Sequence, residues 1–240
     1  MKIVILAGGF GTRISEFSEH IPKPMIKINN KPILIHIMNI YHKFGFNDFI
    51  IALGYKKEFI IKYFEKNKPL FKNFNIQLID TGLNTLTGTR IKLLKNYLSD
   101  YEDFMLTYGD GLANIDINRL LNFHYKNNKI VTITAVRPPA RFGELEIKKN
   151  LVTSFQEKVQ LKKNWINGGF FVINKKFLDY IPNKQVMLER EPLTTAVKNG
   201  QLIAYKHNHF WYCMDNRRDY ENLKKMAKLK NLPWNNYNKY

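Results

Sequence analysis

The sequence predicts an α/β protein in which helices cover both faces of a mostly parallel β-sheet. Short apolar runs alternate with amphipathic helical stretches through the first half of the chain, a pattern typical of repeated strand–helix units. The length of 240 residues lies just below the ~250–300 residues at which one hydrophobic core gives way to several. No repeat or Pro/Gly/Ser-rich linker interrupts the pattern, so we expect a single domain over residues 1–240.

The first half contains the clearest elements. Residues 2–7 form a continuous apolar run that ends abruptly in glycines, which indicates a buried strand near the centre of the sheet. Residues 32–44 follow as a helix, with proline in its first turn and Gly45 after its end. The alternation continues with strands predicted at 49–53, 76–79 and 103–107, and with helices predicted at 56–64 and 87–98.

The second half becomes rich in strands. A helix is predicted at 116–126, and strands are predicted at 130–136, 145–148, 152–156 and 169–173. We expect this half to add antiparallel strands to the same sheet.

The charge of the chain leaves three classes of partner to consider. Lysine and arginine number 38 against 20 acidic residues, which gives a formal charge of +18. Nucleic acid, an anionic membrane or an acidic small molecule would each suit such a charge. The lysines are scattered in ones and twos among many Asn and Ile residues, with no basic block, so nucleic acid is not expected. A positive field would still attract phosphorylated substrates.

Membrane insertion and disulfide formation are not expected. The apolar runs are far shorter than the ~20 residues that span a bilayer, and no cleavable signal precedes the first strand, which favours the cytoplasm. Cys213 is the only cysteine, and no Cys or His lies near it at metal-site spacing. We expect it to serve in packing.

Two glycine-containing turns follow predicted strands. Residues 8–13, Gly-Gly-Phe-Gly-Thr-Arg, can present backbone N–H groups to phosphate oxygens, and Arg13 can add a bidentate contact. The turn fits neither the Walker nor the dinucleotide pattern, because Ile14 stands where the latter has glycine. The second glycine turn is residues 109–111, Gly-Asp-Gly. It contains Asp110, and an aspartate in such a turn is often only a turn former. Both turns lie at the carboxyl ends of strands, which is where open α/β sheets bind ligands.

A lysine between two prolines, Pro22-Lys23-Pro24, lies ten residues after Arg13 and can reach the same phosphates. Together with the glycine turn it resembles the signature of the sugar-1-phosphate nucleotidyltransferase family, most closely its glucose-1-phosphate cytidylyltransferase branch. The resemblance runs almost end to end, through residues 30–34, 36–38, 80–82, 86–88, 90, 107–111, 141–143, 155–158, 166–172, 191–193, 210–211 and 214–215.

The resemblance implies a Rossmann-like nucleotidyltransferase fold with a nucleotide-binding half, 1–112, and a sugar-phosphate-binding half, 113–240. It implies transfer of a cytidylyl group from CTP to a sugar 1-phosphate, with Mg²⁺ as cofactor, a homo-oligomeric assembly and a CDP-sugar for surface polysaccharide biosynthesis. The sugar phosphate is itself the nucleophile, so no catalytic triad is needed, and catalysis relies on positioning and charge neutralisation.

The same resemblance assigns roles to individual residues. Arg13 and Lys23 match the catalytic phosphate contacts, and Asp110 and Asp215 match the metal-binding pair. This pair is reasonable because Mg²⁺ commonly takes one or two carboxylates with phosphate oxygens and water. The nucleotide-binding positions are Leu6, Ala7, Gly8, Gly9, Gly11, Thr12, Thr85, Arg90 and Gly109, and the sugar-phosphate-binding positions are Glu157, Lys158, Asn167 and Gly168.

Plainer interpretations remain for several residues. Asp215 could pair with Arg217 or Arg218, and Lys158 could simply be exposed. We interpret Glu144 and Glu146 as structural, and His207 and His209 lack a third ligand at zinc-site spacing. The aromatic residues Trp165, Phe170, Phe171 and Trp211 are first of all core material, although one or two could line a sugar pocket.

The chain departs from the family pattern at three places. Thr89 replaces a glycine, Val159 replaces a proline, and residues 67–75 form a connection about two dozen residues shorter than in typical cytidylyltransferases, in a region that contributes to subunit contacts there. The alternative substrates are therefore dTTP or UTP, or another phosphorylated acceptor. A catalytically silent regulatory subunit and a nucleic-acid-binding protein are rival functions, but neither would need to keep Arg13, Lys23, Asp110 and Asp215 together, so the enzyme is favoured.

Overall fold

The computed structural model describes residues 1–138, 143–156 and 164–236. Its strands are β1 (Ile3–Leu6), β2 (Lys27–Ile28), β3 (Lys31–Pro32), β4 (Asp48–Leu53), β5 (Asn75–Asp80), β6 (Asp103–Tyr108), β7 (Gly111–Ala113), β8 (Val131–Val136), β9 (Glu144–Lys148), β10 (Leu151–Gln156), β11 (Ile166–Asn174), β12 (Leu202–His207) and β13 (Trp211–Cys213). Its α-helices are α1 (Ser15–Ser18), α2 (Ile33–His42), α3 (Lys57–Lys66), α4 (Thr87–Lys92), α5 (Lys95–Leu98), α6 (Ile117–Asn127), α7 (Glu191–Lys198) and α8 (Arg217–Met226).

Seven strands form one sheet in the order β12-β8-β11-β6-β1-β4-β5. Strand β1 runs parallel to β4 and β6, β4 runs parallel to β5, and β8 runs parallel to β12. Of these seven strands, only β11 is antiparallel to its neighbours, β6 and β8. The expected mostly parallel sheet is confirmed, with one reversed strand inserted between strands from the two halves of the chain.

Helices pack against both faces of this sheet, as the sequence predicts. Along β1, Ile3 and Ile5 belong to one core cluster, which includes apolar residues of α2, α3, α6 and α8. Val4 and Leu6 belong to the other cluster, which includes apolar residues of α4, α5 and α7. Because alternate side chains of a strand point to opposite faces, a strand covered on both sides must be apolar throughout.

Two predictions about elements are wrong in detail. The single helix expected at 87–98 is divided into α4 and α5, because Leu94 N–H bonds to Ile91 O in a tighter turn that buries Leu94 in the core. The strands expected at 145–148 and 152–156 do not join the main sheet and form a separate hairpin, β9 with β10. A two-residue turn at Lys149, whose φ is 53°, lets these strands pair locally.

The C-terminal elements were not predicted from the sequence. Strand β13 pairs with β7, and α8 starts with a capping box in which Asn216 and Asp219 exchange side-chain and backbone hydrogen bonds. These elements bring the end of the chain back to the edge of the sheet where β6 ends. No described helix combines the length and apolar character that a membrane span requires.

Candidate active site

A cavity of about 610 Å³ opens at the carboxyl ends of the parallel strands. Within the described residues, every site position predicted from the sequence lines it. These are Leu6, Ala7, Gly8, Gly9, Gly11, Thr12, Arg13, Lys23, Thr85, Arg90, Gly109, Asp110, Asn167, Gly168 and Asp215. Glu157 and Lys158 lie outside the described residues.

The glycine turn after β1 forms one rim of the cavity. Gly11 has φ 67°, a left-handed conformation that favours glycine, and a Cβ there would lie 3.1 Å from Cβ of Lys23. Ser18 Oγ donates to Gly11 O at 3.0 Å. The turn is therefore held directly against the lysine that lies between the two prolines.

Lys23 is the charged centre of the cavity. Its Nζ lies 2.6 Å from Asp110 Oδ2 and 3.0 Å from Asp215 Oδ1, although the residue is only 9% exposed. Burial alone lowers the pKa of Lys23, but the charges of Asp110 and Asp215 outweigh it and raise the pKa above its usual value. The exposed Arg13 completes the cluster with an ion pair of 2.9 Å to Asp215.

The two aspartates make a cation-binding pair. Ligand atoms of Asp110, Cys213 and Asp215 all lie within 4.8 Å of one another, and the Lys23 ammonium is bound by both carboxylates. A pair of carboxylates that already binds a positive group fits a hard divalent cation, which prefers oxygen ligands. Asp215 pairs with Lys23 and Arg13 rather than with the neighbouring arginines that the plainer interpretation suggested.

Cys213 lies in this cluster, contrary to the expectation that it serves only in packing. The register of β13 places Cys213 opposite Gly111 of β7, so a residue far away in sequence reaches the second glycine turn. Burial, and then the charge of Asp110, raise the pKa of the Cys213 thiol. The side chain therefore remains a neutral thiol, a poor ligand for a hard cation.

Arg90 binds the backbone at the floor of the cavity. Its guanidinium donates to Leu53 O at 2.5 Å, Gly82 O at 3.1 Å, Gly8 O at 3.3 Å and Thr85 O at 2.8 Å, and also to the Thr81 hydroxyl. Arg90 is 3% exposed. The side chain thus ties together the loops that follow β1, β4 and β5.

A hydrogen-bond network lines the opposite side of the cavity. Tyr108 OH donates to Glu189 Oε1 at 2.5 Å and accepts from Asn167 Nδ2 at 3.1 Å. Trp211 Nε1 donates to Gly168 O at 2.8 Å, so this aromatic residue does line the cavity. Phe170 and Phe171 are fully buried in the core.

Sequence reasoning missed Tyr108 and Glu189 as cavity residues. Tyr108 stands beside Gly109 in a stretch already singled out, so its position after the predicted strand was an available signal. Glu189 lies in a loop with no periodic pattern and reaches the cavity only through tertiary structure. His207 lies beside Phe210, with its Nε2 3.1 Å from Phe210 O.

Comparisons with known proteins agree with this geometry. Residues 2–224 match the family model described as Nucleotidyl transferase, and the chain belongs to that family. It is 43% identical, over 98% of both chains, to the glucose-1-phosphate cytidylyltransferase of Salmonella typhimurium. It is 40% identical, over 98% of this chain and 96% of the relative, to the probable glucose-1-phosphate cytidylyltransferase of Bacillus subtilis.

A solved structure gives the same picture of the fold. The crystal structure of HddC from Yersinia pseudotuberculosis complexed with GMP-PN superposes with a TM-score of 0.72 and 26% identity, covering 93% of this chain and 98% of that one. The alignment with the Salmonella relative extends over 253 positions, so the relative has residues that this 240-residue chain lacks.

Proposed function

We propose that this chain transfers the cytidylyl group of CTP to a sugar 1-phosphate, with α-D-glucose 1-phosphate as the preferred acceptor. One observation carries the proposal. The glycine turn, Arg13, Lys23 and two aspartates converge on one cavity, in a chain 43% identical along nearly its whole length to a glucose-1-phosphate cytidylyltransferase.

The reaction needs a phosphate-binding cavity and no nucleophilic side chain. A phosphate oxygen of the sugar 1-phosphate forms a bond to the α-phosphorus of CTP, and the bond from that phosphorus to the oxygen of the β-phosphate breaks. The products are a CDP-sugar and pyrophosphate. The protein contributes by aligning the attacking and leaving oxygens and by offsetting the charge of the phosphates.

We propose that the two halves of the chain bind different substrates. In the nucleotide half, 1–112, the N–H groups of the glycine turn and the side chains of Arg13 and Lys23 would bind the triphosphate. In the other half, 113–240, Asn167 and Gly168 would bind the sugar phosphate together with Glu157 and Lys158. Thr85, Arg90 and Gly109 would surround the base and ribose.

Asp110 and Asp215 would hold Mg²⁺, the cofactor we propose for this site. When bound, the ion offsets negative charge on the phosphates. The Lys23 ammonium binds both carboxylates in the structure. When a phosphorylated substrate enters, its phosphate oxygens would become new partners of the Lys23 ammonium.

The proposal extends to the setting of the reaction. A CDP-sugar is an activated donor, and we propose that it serves surface polysaccharide biosynthesis in the cytoplasm. We also propose that the protein is a homo-oligomer that binds neither nucleic acid nor membrane. Size-exclusion chromatography with light scattering tests the oligomeric state, and a gel-shift assay tests the absence of nucleic-acid binding.

The direct test is pyrophosphate release with CTP, dTTP, UTP, GTP and ATP, each combined with several sugar 1-phosphates. CTP with glucose 1-phosphate should give the highest kcat/KM. Leaving one buried hydrogen-bonding group of the base unpaired costs about 1–3 kcal/mol, or roughly one to two decades of discrimination. A kcat/KM for dTTP or UTP equal to that for CTP would remove the assignment of the base while leaving the reaction type intact.

The roles of Arg13 and Lys23 are tested in the same assay. Arg13→Ala and Lys23→Ala should each lower turnover by about 100-fold, because both side chains would meet the charged phosphates. Arg13 is exposed, so its replacement should leave the unfolding temperature unchanged. Wild-type turnover in either variant would contradict the role given to that residue.

A further inference from the structure

Two walls of the cavity come from distant parts of the chain and are hydrogen-bonded to each other. We call residues 83–90 the nucleotide wall and residues 184–189 the acceptor wall. Gly88 N–H and Thr89 N–H both donate to Val186 O, at 3.0 and 3.2 Å, and Leu86 N–H donates to Gln185 Oε1 at 3.0 Å. Gly88 and Thr89 lie in the first turn of α4, so Val186 O accepts two N–H groups that have no partner within the helix.

Two threonine hydroxyls complete this junction. Thr87 Oγ1 donates to Glu189 Oε2 at 2.9 Å and accepts from Leu188 N–H at 2.9 Å. Thr89 Oγ1 donates to Lys184 O at 3.0 Å and accepts from Val186 N–H at 2.9 Å. Each hydroxyl therefore serves as donor and acceptor at once, which an alkyl side chain such as that of valine cannot do.

The two walls depend on this junction to different degrees. The nucleotide wall is also held by Arg90, which bonds to Leu53 O, Gly82 O and Gly8 O outside the acceptor wall. Apart from the bond between Tyr108 and Glu189, the hydrogen bonds that leave the acceptor wall for distant described residues go to the nucleotide wall. Val186 and Leu188 also pack in the core. Because the acceptor wall has fewer hydrogen bonds outside the junction, we expect a weakened junction to shift this wall more than the nucleotide wall.

The acceptor wall carries Met187 and Glu189 into the cavity. Glu189 is joined through Tyr108 to Asn167, a residue of the proposed sugar-phosphate side. A displacement of the acceptor wall would therefore move residues on the sugar-phosphate side of the cavity and leave the glycine turn in place.

We propose that Thr89 is a positioning residue that fixes the acceptor side of the cavity by holding the acceptor wall to the nucleotide wall. Thr89 acts through Val186 and Lys184 and is not itself among the residues that line the cavity. The inference rests on the proposed function only in naming the substrate whose binding depends on it.

The test compares Thr89→Val, which keeps the branched shape but removes the hydroxyl, with Thr89→Ser, which keeps the hydroxyl. Thr194→Val is the matched control, because Thr194 is exposed on α7 and its hydroxyl bonds only locally, to Glu191 O. Thr89→Val should raise KM for glucose 1-phosphate about fivefold while KM for CTP stays within about twofold, since both hydrogen bonds of the Thr89 hydroxyl to the acceptor wall are lost. Thr89→Ser should restore the wild-type KM.

Hydrogen exchange in the unliganded protein separates this inference from the proposed function. The Val186 amide should exchange about tenfold faster in Thr89→Val, because its acceptor is removed, and at the wild-type rate in Thr89→Ser and Thr194→Val. A wild-type protein that releases no pyrophosphate with any substrate pair would refute the proposed function, and the exchange result would still decide whether Thr89 holds the wall. Unchanged exchange of Val186, or equal rises in both KM values, would overturn the inference.

Discussion

At the scale of single residues, the cavity is organised by opposite charges held close together. Lys23 and Arg13 bind the two aspartates, so the positive and negative groups of the site neutralise one another. A buried charge without a partner is costly, and the buried Lys23 receives two carboxylate partners from two separate loops.

The aspartates allow a first prediction. Asp110→Asn and Asp215→Asn should each lower turnover by about 100-fold or more, because neutralisation of phosphate charge contributes several kcal/mol to this class of reaction. Excess EDTA should abolish pyrophosphate release by the wild-type protein, and added Mg²⁺ should restore it. Circular dichroism serves as the control for folding. Full activity in EDTA would contradict the metal role of both residues.

His207 allows a second prediction, on stability against pH. Burial, opposed by the hydrogen bond to Phe210 O and assisted by His209, lowers the pKa of His207 to about 4. The unfolded chain takes up this proton near pH 6.5, so the folded state loses stability as the pH falls from 6.5 towards 4. The unfolding free energy should therefore fall by about 2 kcal/mol more between pH 7 and pH 5 in the wild type than in His207→Gln. Urea titrations at both pH values measure this difference, and equal losses would show that His207 is not the group responsible.

At the scale of elements, strand β11 brings the acceptor side of the cavity into place. It is the reversed strand, so its beginning lies at the edge where the parallel strands end. Its register shifts between Asn167 and Phe171, and such a bulge re-aims the side chains beside it. Gly169 lies in this bulge with φ 87°, and a Cβ there would lie 2.7 Å from the Tyr108 ring.

The third prediction follows from this bulge. Gly169→Ala should lower the unfolding free energy by roughly 2–4 kcal/mol, the sum of left-handed strain and overpacking against Tyr108. Gly200→Ala is the matched control, because Gly200 has φ 63° but a Cβ there would meet no atom within 4 Å, so only roughly 1 kcal/mol of strain is expected. Urea unfolding of both variants checks the difference, and equal effects would show that contact with Tyr108 contributes nothing.

The elements that the sequence predicts best are those with strong local patterns. Strand β1 and helix α2 have continuous or periodic apolar residues with glycine or proline at their ends, so local sequence is enough to place them. The positions of the glycine turn and Asp110 at the ligand-binding end of the sheet were predicted for the same reason, since both follow such strands, whereas the metal role of Asp110 came only from the family resemblance. Cys213 and Glu189 could not be found in this way, because only the pairing of β13 with β7 and the junction of two loops bring them to the cavity.

At the scale of the whole molecule, the charge of +18 creates a field that acts on phosphorylated ligands. The fourth prediction is that kcat/KM for the nucleotide falls as KCl is raised from about 50 to about 500 mM, by about tenfold, while kcat changes little. Salt screens the long-range attraction between the protein and the ligand, but it has little effect on the short-range contacts of the bound ligand. Initial rates across a salt series measure this, and a salt-independent kcat/KM would show that the field does not assist binding.

The order of strands in the sheet has a consequence for how the chain folds as it is synthesised. The strands β6, β1, β4 and β5 are neighbours in the sheet and all belong to the first 108 residues, whereas β11, β8 and β12 come later. The first four strands can therefore pair as soon as they leave the ribosome, but β6 then presents an unpaired edge until residues 166–174 arrive. An exposed edge strand is a site of aggregation, so the interval between the synthesis of β6 and that of β11 is when the nascent chain most needs a chaperone.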